Sequence, residues 1–184
     1  FPLPTLASAL ADIKAELRDG RGMALIRGLP TEGRTRFQVA AAYWGLGNHM
    51  GRPKSQNGRG HLLGHVMDLA GKNADVRGYM NANALEFHTD RTDILSLCCY
   101  RAAKWGGAHR ISSSVTAYNE MLKRRSDLVK EMSFEFYRTR NGEIPVGETL
   151  TYIRQPIFSV KDGYFTGRSA GLKIEQAQAL PGVP

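Results

Sequence analysis

The sequence predicts an α+β, mainly β protein of jelly-roll type, in which a few helices flank short strands. Short apolar or alternating runs are spread along the chain, helical periodicity is confined to a few segments, and Asp162-Gly163 marks a tight hairpin. With 184 residues, 42% of them hydrophobic, the chain is long enough to bury one core. We therefore expect a single domain over residues 1–184.

Three segments carry the signals of a helix. Apolar residues repeat at helical spacing over residues 5–19, and Gly20 follows as a stop signal. Thr35 and Gln38 form a capping box at the start of a second segment, which Gly51-Arg52-Pro53 breaks. The predicted helices cover residues 5–19, Thr35 to about Met50, and about 115–124.

Strands are predicted where short apolar or alternating runs lie between turn signals. Residues 85–101 are the most strand-like part of the chain, and Trp105-Gly106-Gly107 turns the chain round after them. Asp162-Gly163 joins the last two runs as a hairpin. The predicted strands cover residues 23–27, 62–69, 85–101, 109–113, 134–138, 151–160 and 164–168.

The positive charge of the chain does not indicate a nucleic-acid partner. The net charge is +8, but its densest run, Lys123-Arg124-Arg125, lies at the predicted end of a helix, where cations complement the helix dipole. A basic nucleic-acid-binding module would need clustered Lys and Arg with aromatic residues nearby, which the sequence does not show. No run approaches the roughly 20 apolar residues that span a bilayer, so we expect no membrane partner either.

The two cysteines, Cys98 and Cys99, are adjacent in the sequence. Neighbouring side chains of a strand point to opposite faces, so a bridge between the two would have poor geometry. We interpret both as small hydrophobic residues of a strand. The lack of a disulfide framework favours a reducing compartment and hence a cytoplasmic location.

His88 and Asp90 form the most informative pair in the chain. If this segment is extended, both side chains project from one side, and an imidazole nitrogen and a carboxylate oxygen can reach one metal ion. A site with two histidines and one carboxylate needs that pair and a second histidine from elsewhere. The competing interpretations are a surface histidine beside a solvated aspartate and a buried pair that shares a hydrogen bond.

The remaining polar candidates lie in or beside loops. His61 and His65 share a face of a predicted strand. Three interpretations of this pair are open: the two histidines line a pocket, they bind a metal adventitiously, or they form ordinary hydrogen bonds. The loop of residues 54–60 matches no phosphate-binding fingerprint. Loops carry substrate selectivity in such scaffolds. The candidate substrate-binding residues are Gln56, Asn81 and Asn83.

The context of the His88 pair resembles the taurine dioxygenase-like (clavaminate synthase-like) group of Fe(II)- and 2-oxoglutarate-dependent dioxygenases. Weaker likeness extends through Pro156-Ile157-Phe158, so the resemblance covers most of the chain. The stretches that carry it are, in chain order, Gly22–Pro30, Phe87–Asp90, Ala103–Gly107, Ser112–Ser114 and Ala117–Leu122.

The resemblance implies a double-stranded β-helix, the jelly roll of this family, with His88 and Asp90 as Fe(II) ligands and no further catalytic side chain in this chain. It also implies 2-oxoglutarate as co-substrate, dioxygen as oxidant and hydroxylation or a related C–H oxidation of a small organic substrate. The family's distal histidine and the arginine that pairs with 2-oxoglutarate are expected beyond Pro184, so the jelly roll is expected to be incomplete at its C-terminus.

The sequence departs from the family pattern after the Gly106-Gly107 turn. The family usually has Thr or Ser two places after this turn, where the hydroxyl helps to hold 2-oxoglutarate, and this chain has His109. His109 is therefore a candidate co-substrate-binding residue, because it can donate a hydrogen bond to a carboxylate. The alternatives are altered co-substrate binding and a histidine that faces solvent.

Two rival functions stay open on the sequence alone. A non-redox, cupin-like isomerase or binding protein would need a third metal ligand inside the 184 residues, from His61, His65 or His109. The other rival is the basic nucleic-acid-binding module.

Overall fold

The computed structural model describes residues 2–57, 59–69, 84–144 and 147–184. These residues form two compact units, and each is described by itself. The first unit comprises Phe1–Pro53 and Thr92–Ser113, and the second comprises Lys54–Arg91 and Ser114–Pro184. Helices and short strands are both present, as an α+β class requires, but the described part of the chain has more residues in helices than in strands, so the predicted excess of strand is not seen there. No described helix is both long and apolar enough to cross a bilayer.

The first unit contains two helices that contact each other, α1 (Ala7–Asp19) and α2 (Arg36–Met50). Both were predicted. The predicted capping box at the start of α2 is present, because the Gln38 backbone N–H donates to Thr35 Oγ1 at 3.2 Å and the Thr35 N–H donates to Gln38 Oε1 at 3.0 Å. These two bonds satisfy backbone donors that the first turn of a helix leaves free.

The second unit contains three helices and four strands. The strands form two antiparallel sheets of two strands each, in which β1 pairs with β2 and β3 pairs with β4. The elements are α3 (Ser114–Arg124), α4 (Ser126–Glu131), β1 (Glu135–Thr139), β2 (Tyr152–Pro156), β3 (Phe158–Lys161), β4 (Tyr164–Gly167) and α5 (Gly171–Ala177). Helix α3 contacts α4 and β4, and α5 contacts β1.

The predicted hairpin between β3 and β4 is confirmed. Lys161 pairs with Tyr164 across a two-residue turn, and both turn residues have positive φ, 53° at Asp162 and 81° at Gly163. A turn with positive φ at both central positions matches the right-handed twist of its strands, and Asp-Gly adopts it at low cost. This local chemistry fixes the register of the hairpin.

The predicted strand over residues 151–160 is two strands, because the chain moves from one sheet to the other at Ile157. The backbone N–H groups of Ile157 and Phe158 both donate to the carbonyl of Met132, just after α4, at 2.9 and 3.0 Å. Val129, Ile157 and Phe158 form the buried cluster of this unit. The Tyr118 ring of α3 lies 5.2 Å from the Phe158 ring and 5.1 Å from the Phe165 ring, which adds aromatic contacts.

The strands predicted over residues 23–27, 62–69, 85–101 and 109–113 are wrong, since none of these described segments belongs to a sheet ladder. A strand requires a partner that pairs its backbone groups, and β propensity alone does not supply one. Their apolar side chains are correspondingly open to solvent, with Leu25, Leu95 and Ile111 at 76%, 58% and 72% exposure.

The cationic end of α3 matches the interpretation from sequence. Lys123 and Arg124 lie in its last turn and both pair with Glu120, at 2.8 and 3.5 Å. They are surface ion pairs that also complement the helix dipole.

The adjacent cysteines differ in environment. Both thiols are free, Cys98 is half-buried and Cys99 is exposed. Burial raises the pKa of the Cys98 thiol, and the neighbouring Cys99 raises it further. Burial has this effect because it penalises the charged thiolate.

Phe158→Ala is expected to destabilise the chain by about 3–5 kcal/mol, because Phe158 is 7% exposed and its loss leaves a cavity against Tyr118 and Phe165. Denaturant unfolding measures the change. Val160→Ala is the matched control on the same strand, since Val160 is 70% exposed and its truncation is expected to cost less than about 1 kcal/mol. Equal losses of unfolding free energy from the two substitutions would contradict the assignment of Phe158 to the core.

The Cys98 thiol is expected to react more slowly with iodoacetamide than the Cys99 thiol, because the thiolate is the nucleophile and a raised pKa leaves less of it. The variants Cys98→Ser and Cys99→Ser each leave one thiol for measurement between pH 7 and 9. The raised pKa of the Cys98 thiol predicts that its rate is still increasing at the upper end of this pH range. If the Cys98 thiol reacts faster than the Cys99 thiol at neutral pH, the assignment of Cys98 to the more buried environment is wrong.

Candidate metal site

The side chains of His88 and Asp90 lie near each other, although their segment forms no strand. The His88 Nε2 atom lies 4.0 Å from Asp90 Oδ1, and the two side chains are 42% and 45% exposed. Two adjacent ligands with bonds of about 2.1 Å to one metal ion lie about 3 Å apart. The pair therefore needs a side-chain adjustment of about 1 Å to share an ion.

The hydrogen bond of the His88 ring fixes which nitrogen is free. Its Nδ1 atom lies 2.7 Å from the backbone carbonyl oxygen of Glu86. A carbonyl can only accept, so Nδ1 carries the proton and donates it. In the neutral ring the lone pair is then on Nε2, the nitrogen that faces Asp90. Histidine ligands in metal sites have this arrangement, with the second ring nitrogen donating to a carbonyl or carboxylate.

Thr89, between the two candidate ligands, is half-buried and faces the opposite way, toward Ser169. Its backbone N–H donates to the Ser169 carbonyl at 2.7 Å, and its hydroxyl donates to the same oxygen at 3.3 Å. The Arg168 Nη1 atom donates to the Asp90 carbonyl at 3.3 Å. The segment is thus held to the chain just after β4.

Arg168 and Ser169 were not predicted from the sequence. They lie 78 and 80 residues from Asp90 and Thr89, and only the folded chain brings these positions together. The attachment reaches the core of this unit, because the Arg168 N–H donates to the carbonyl of buried Ile157 at 2.7 Å. The bonds at Thr89 and Asp90 limit the directions that the two candidate ligands can take.

The described residues contain no group of three His, Cys, Asp or Glu side chains that could hold a metal ion. His61 and His65 are both exposed, and His61 Nδ1 lies 3.0 Å from the side-chain amide nitrogen of Asn57. That amide can only donate, so this His61 nitrogen is already used as an acceptor. In this part of the chain, the third ligand that a non-redox cupin-like site would need is missing.

Of the other predicted site residues, Gln56 is described in the same unit as the pair and has no observed contact with either candidate ligand. Gln56 is exposed and closes its own loop, with its N–H donating to the His61 carbonyl at 2.6 Å and its side-chain amide to the Lys54 carbonyl at 3.0 Å. His109 is exposed in the first unit. Asn81 and Asn83 lie outside the described residues.

Comparison with known proteins gives one family and two relatives. The family model described as "Taurine catabolism dioxygenase TauD, TfdA family" matches residues 1–180. FR-33289 synthase of Streptomyces rubellomurinus is 32% identical over 171 residues, which cover 91% of this chain and 50% of that protein. The taurine hydroxylase-like protein SAT17 of Stachybotrys chartarum is 28% identical over 193 residues, which cover 100% of this chain and 48% of that protein. The chain thus spans about half the length of these curated relatives.

Proposed function

We propose that this chain, which belongs to the TauD, TfdA family of taurine catabolism dioxygenases, supplies His88 and Asp90 as two protein ligands of an Fe(II)- and 2-oxoglutarate-dependent oxygenase site. The reaction would be hydroxylation or a related oxidation of a C–H bond in a small organic substrate. The two units would then be parts of the family's double-stranded β-helix. The match over residues 1–180 supports this proposal, together with the local geometry of the pair.

The observation that carries the proposal is the orientation of the His88 ring. Its Nδ1–H is held by the Glu86 carbonyl, and its Nε2 faces a carboxylate that no described lysine or arginine neutralises through an ion pair. Nε2 and the carboxylate oxygen lie 4.0 Å apart, within a small side-chain adjustment of sharing one ion. A cation placed between Nε2 and Oδ1 would satisfy both groups.

The donor set fits Fe(II). One neutral imidazole nitrogen and one carboxylate oxygen are the ligand types of the family of sites with two histidines and one carboxylate, which leave positions open for other molecules. Bound iron and 2-oxoglutarate would supply the chemistry that activates dioxygen. The residues of this chain would hold the ion, neutralise one of its charges through Asp90, and fix the imidazole through Glu86.

The remaining parts of the site belong to the proposal as well. A third protein ligand and an arginine for 2-oxoglutarate would come from residues other than those described, since these contain no third metal ligand beside the pair. His109 would contact 2-oxoglutarate, and Gln56, Asn81 and Asn83 would contact the organic substrate. A cytoplasmic location also stays a prediction.

Substitution of either ligand is expected to abolish iron-dependent turnover. His88→Ala and Asp90→Ala in the full chain should each lower 2-oxoglutarate decarboxylation by more than about 100-fold, because substitutions that only disturb metal ligands indirectly already cost 10–100-fold. The matched control is His65→Ala, an exposed histidine of the same unit, which should keep activity within about twofold. Turnover that survives in both ligand variants would refute the assignment.

A polypeptide limited to residues 1–184 is expected to retain Fe(II) weakly, because its described residues offer two protein ligands at the pair rather than three. Anaerobic equilibrium dialysis against Fe(II) measures the stoichiometry. His88→Ala should reduce whatever binding is found, and His61→Ala should leave it unchanged. Tight binding of one ion per chain would show that a third ligand lies within these residues.

A further inference from the structure

The second unit contains a pocket of about 360 Å³ whose wall is mostly cationic. It lies beside β2 and the residue that follows β4, and it includes the residue after the candidate ligand Asp90. Within the part of the chain that the structure describes, no acidic side chain lines it. The lining residues are Arg91, Ile153, Arg154, Gln155 and Arg168.

The guanidinium groups of this pocket have little negative charge to pair with. Arg154 forms one ion pair with Glu135, at 2.8 Å, in which both side chains are more than half exposed. Arg168 directs Nη1 to the Asp90 backbone carbonyl, and in the described part of the chain neither it nor Arg91 has an ion pair with a carboxylate. Three guanidinium groups beside one paired carboxylate leave the described part of the pocket with a net positive charge.

A fourth arginine, Arg138, contacts Arg168 of the pocket. Arg138 is 5% exposed, its Nη2 donates to the Arg168 carbonyl, and its buried Nε has no hydrogen-bond partner among the described residues. Burial lowers the pKa of Arg138, and the positive charges of Arg168 and Arg91 lower it further. These like charges are close enough to repel one another, which makes a nearby anion favourable.

We propose that this pocket is a binding site for a small oxyanion, such as a carboxylate, sulfate or phosphate group, held by Arg91, Arg154 and Arg168. The planar fork of a guanidinium matches the oxygens of such a group, and hydrogen bonds between two charged partners are about twice as strong as neutral ones. The amide of Gln155 adds a polar group that is able to donate to the same anion.

The shape and lining of the pocket favour a small ligand over a nucleic acid. Among the described residues that line it, Ile153 and Gln155 are the uncharged ones, and none of these lining residues carries an aromatic ring on which a base could stack. Its volume of about 360 Å³ is that of a small-molecule site. An anionic group of a metabolite, or a free inorganic anion, fits both observations.

The pocket adjoins the candidate metal segment without depending on it. Arg91 directly follows Asp90, and Arg168 binds the Asp90 carbonyl as well as lining the pocket. Oxyanion binding needs no iron, so the proposal stands even if the metal assignment fails. An anion seated there would also hold Arg168 in place beside the segment that carries His88 and Asp90.

The test is calorimetric titration of inorganic phosphate into the metal-free full chain at low ionic strength. Arg91→Gln and Arg154→Gln are each expected to weaken phosphate binding by about tenfold or more, since each removes a charge-assisted contact. Arg91→Lys should keep part of the affinity, because it preserves the charge and loses the fork. The matched control is Arg124→Gln, which removes a charge that is 79% exposed and outside the pocket, and it should change the affinity less than twofold.

Two results would overturn the proposal. One is the absence of saturable phosphate binding up to about 10 mM, the range of the weakest specific sites. The other is equal affinity in Arg91→Gln, Arg154→Gln and Arg124→Gln, which would show general attraction to a cationic surface. Arg91 and Arg154 are both exposed, so circular dichroism should show folded variants. If one of these two variants fails to fold, the phosphate affinity of the other variant decides whether the proposal holds.

A competition arm identifies the source of the oxyanion. If the group belongs to the co-substrate, 2-oxoglutarate displaces phosphate in the metal-free chain, and Arg91→Gln weakens both ligands. If it is a free inorganic anion, phosphate and sulfate compete with each other and 2-oxoglutarate does not. Binding that survives His88→Ala and Asp90→Ala separates this site from the metal pair.

Discussion

The candidate site depends on the pair of hydrogen bonds that Thr89 gives to the carbonyl of Ser169, at 2.7 Å from its backbone and 3.3 Å from its hydroxyl. The next residue back, Arg168, is bonded to the carbonyl of buried Ile157, so the attachment continues into the apolar cluster. With Thr89 held on one side, its two neighbours project from the other. The hydrogen bonds of Thr89 therefore explain why the side chains of His88 and Asp90 are exposed and lie next to each other.

Charge is divided between two sets of groups on the same stretch of chain. The imidazole and carboxylate of His88 and Asp90 form an electron-rich pair, while Arg91 begins a cluster of guanidinium groups that continues through Arg168. The first set favours a cation and the second favours an oxyanion. Arg168 connects them, because it binds the Asp90 carbonyl and also lines the cationic pocket.

Features with a local cause could be predicted from the sequence, and features that need a distant partner could not. The capping box of α2 and the Asp162-Gly163 turn depend on residues within one turn of each other, and both are present. Residues 85–101 have strong β propensity but no ladder partner in the described structure. Likewise, the closeness of the His88 and Asp90 side chains agrees with their spacing in the sequence, whereas the part played by Ser169 and Arg168 depends on contacts across 80 and 78 residues.

The most direct test of the central claim is long-range ¹⁵N–¹H correlation NMR of the His88 ring, with and without Zn²⁺ as a diamagnetic substitute for Fe(II). The structure predicts a proton on Nδ1, because Nδ1 donates to the Glu86 carbonyl, and a change at the Nε2 resonance when the metal binds. His65 serves as the exposed reference histidine of the same unit. A proton on Nε2, or a metal-dependent change at His65 but not at His88, would contradict the account.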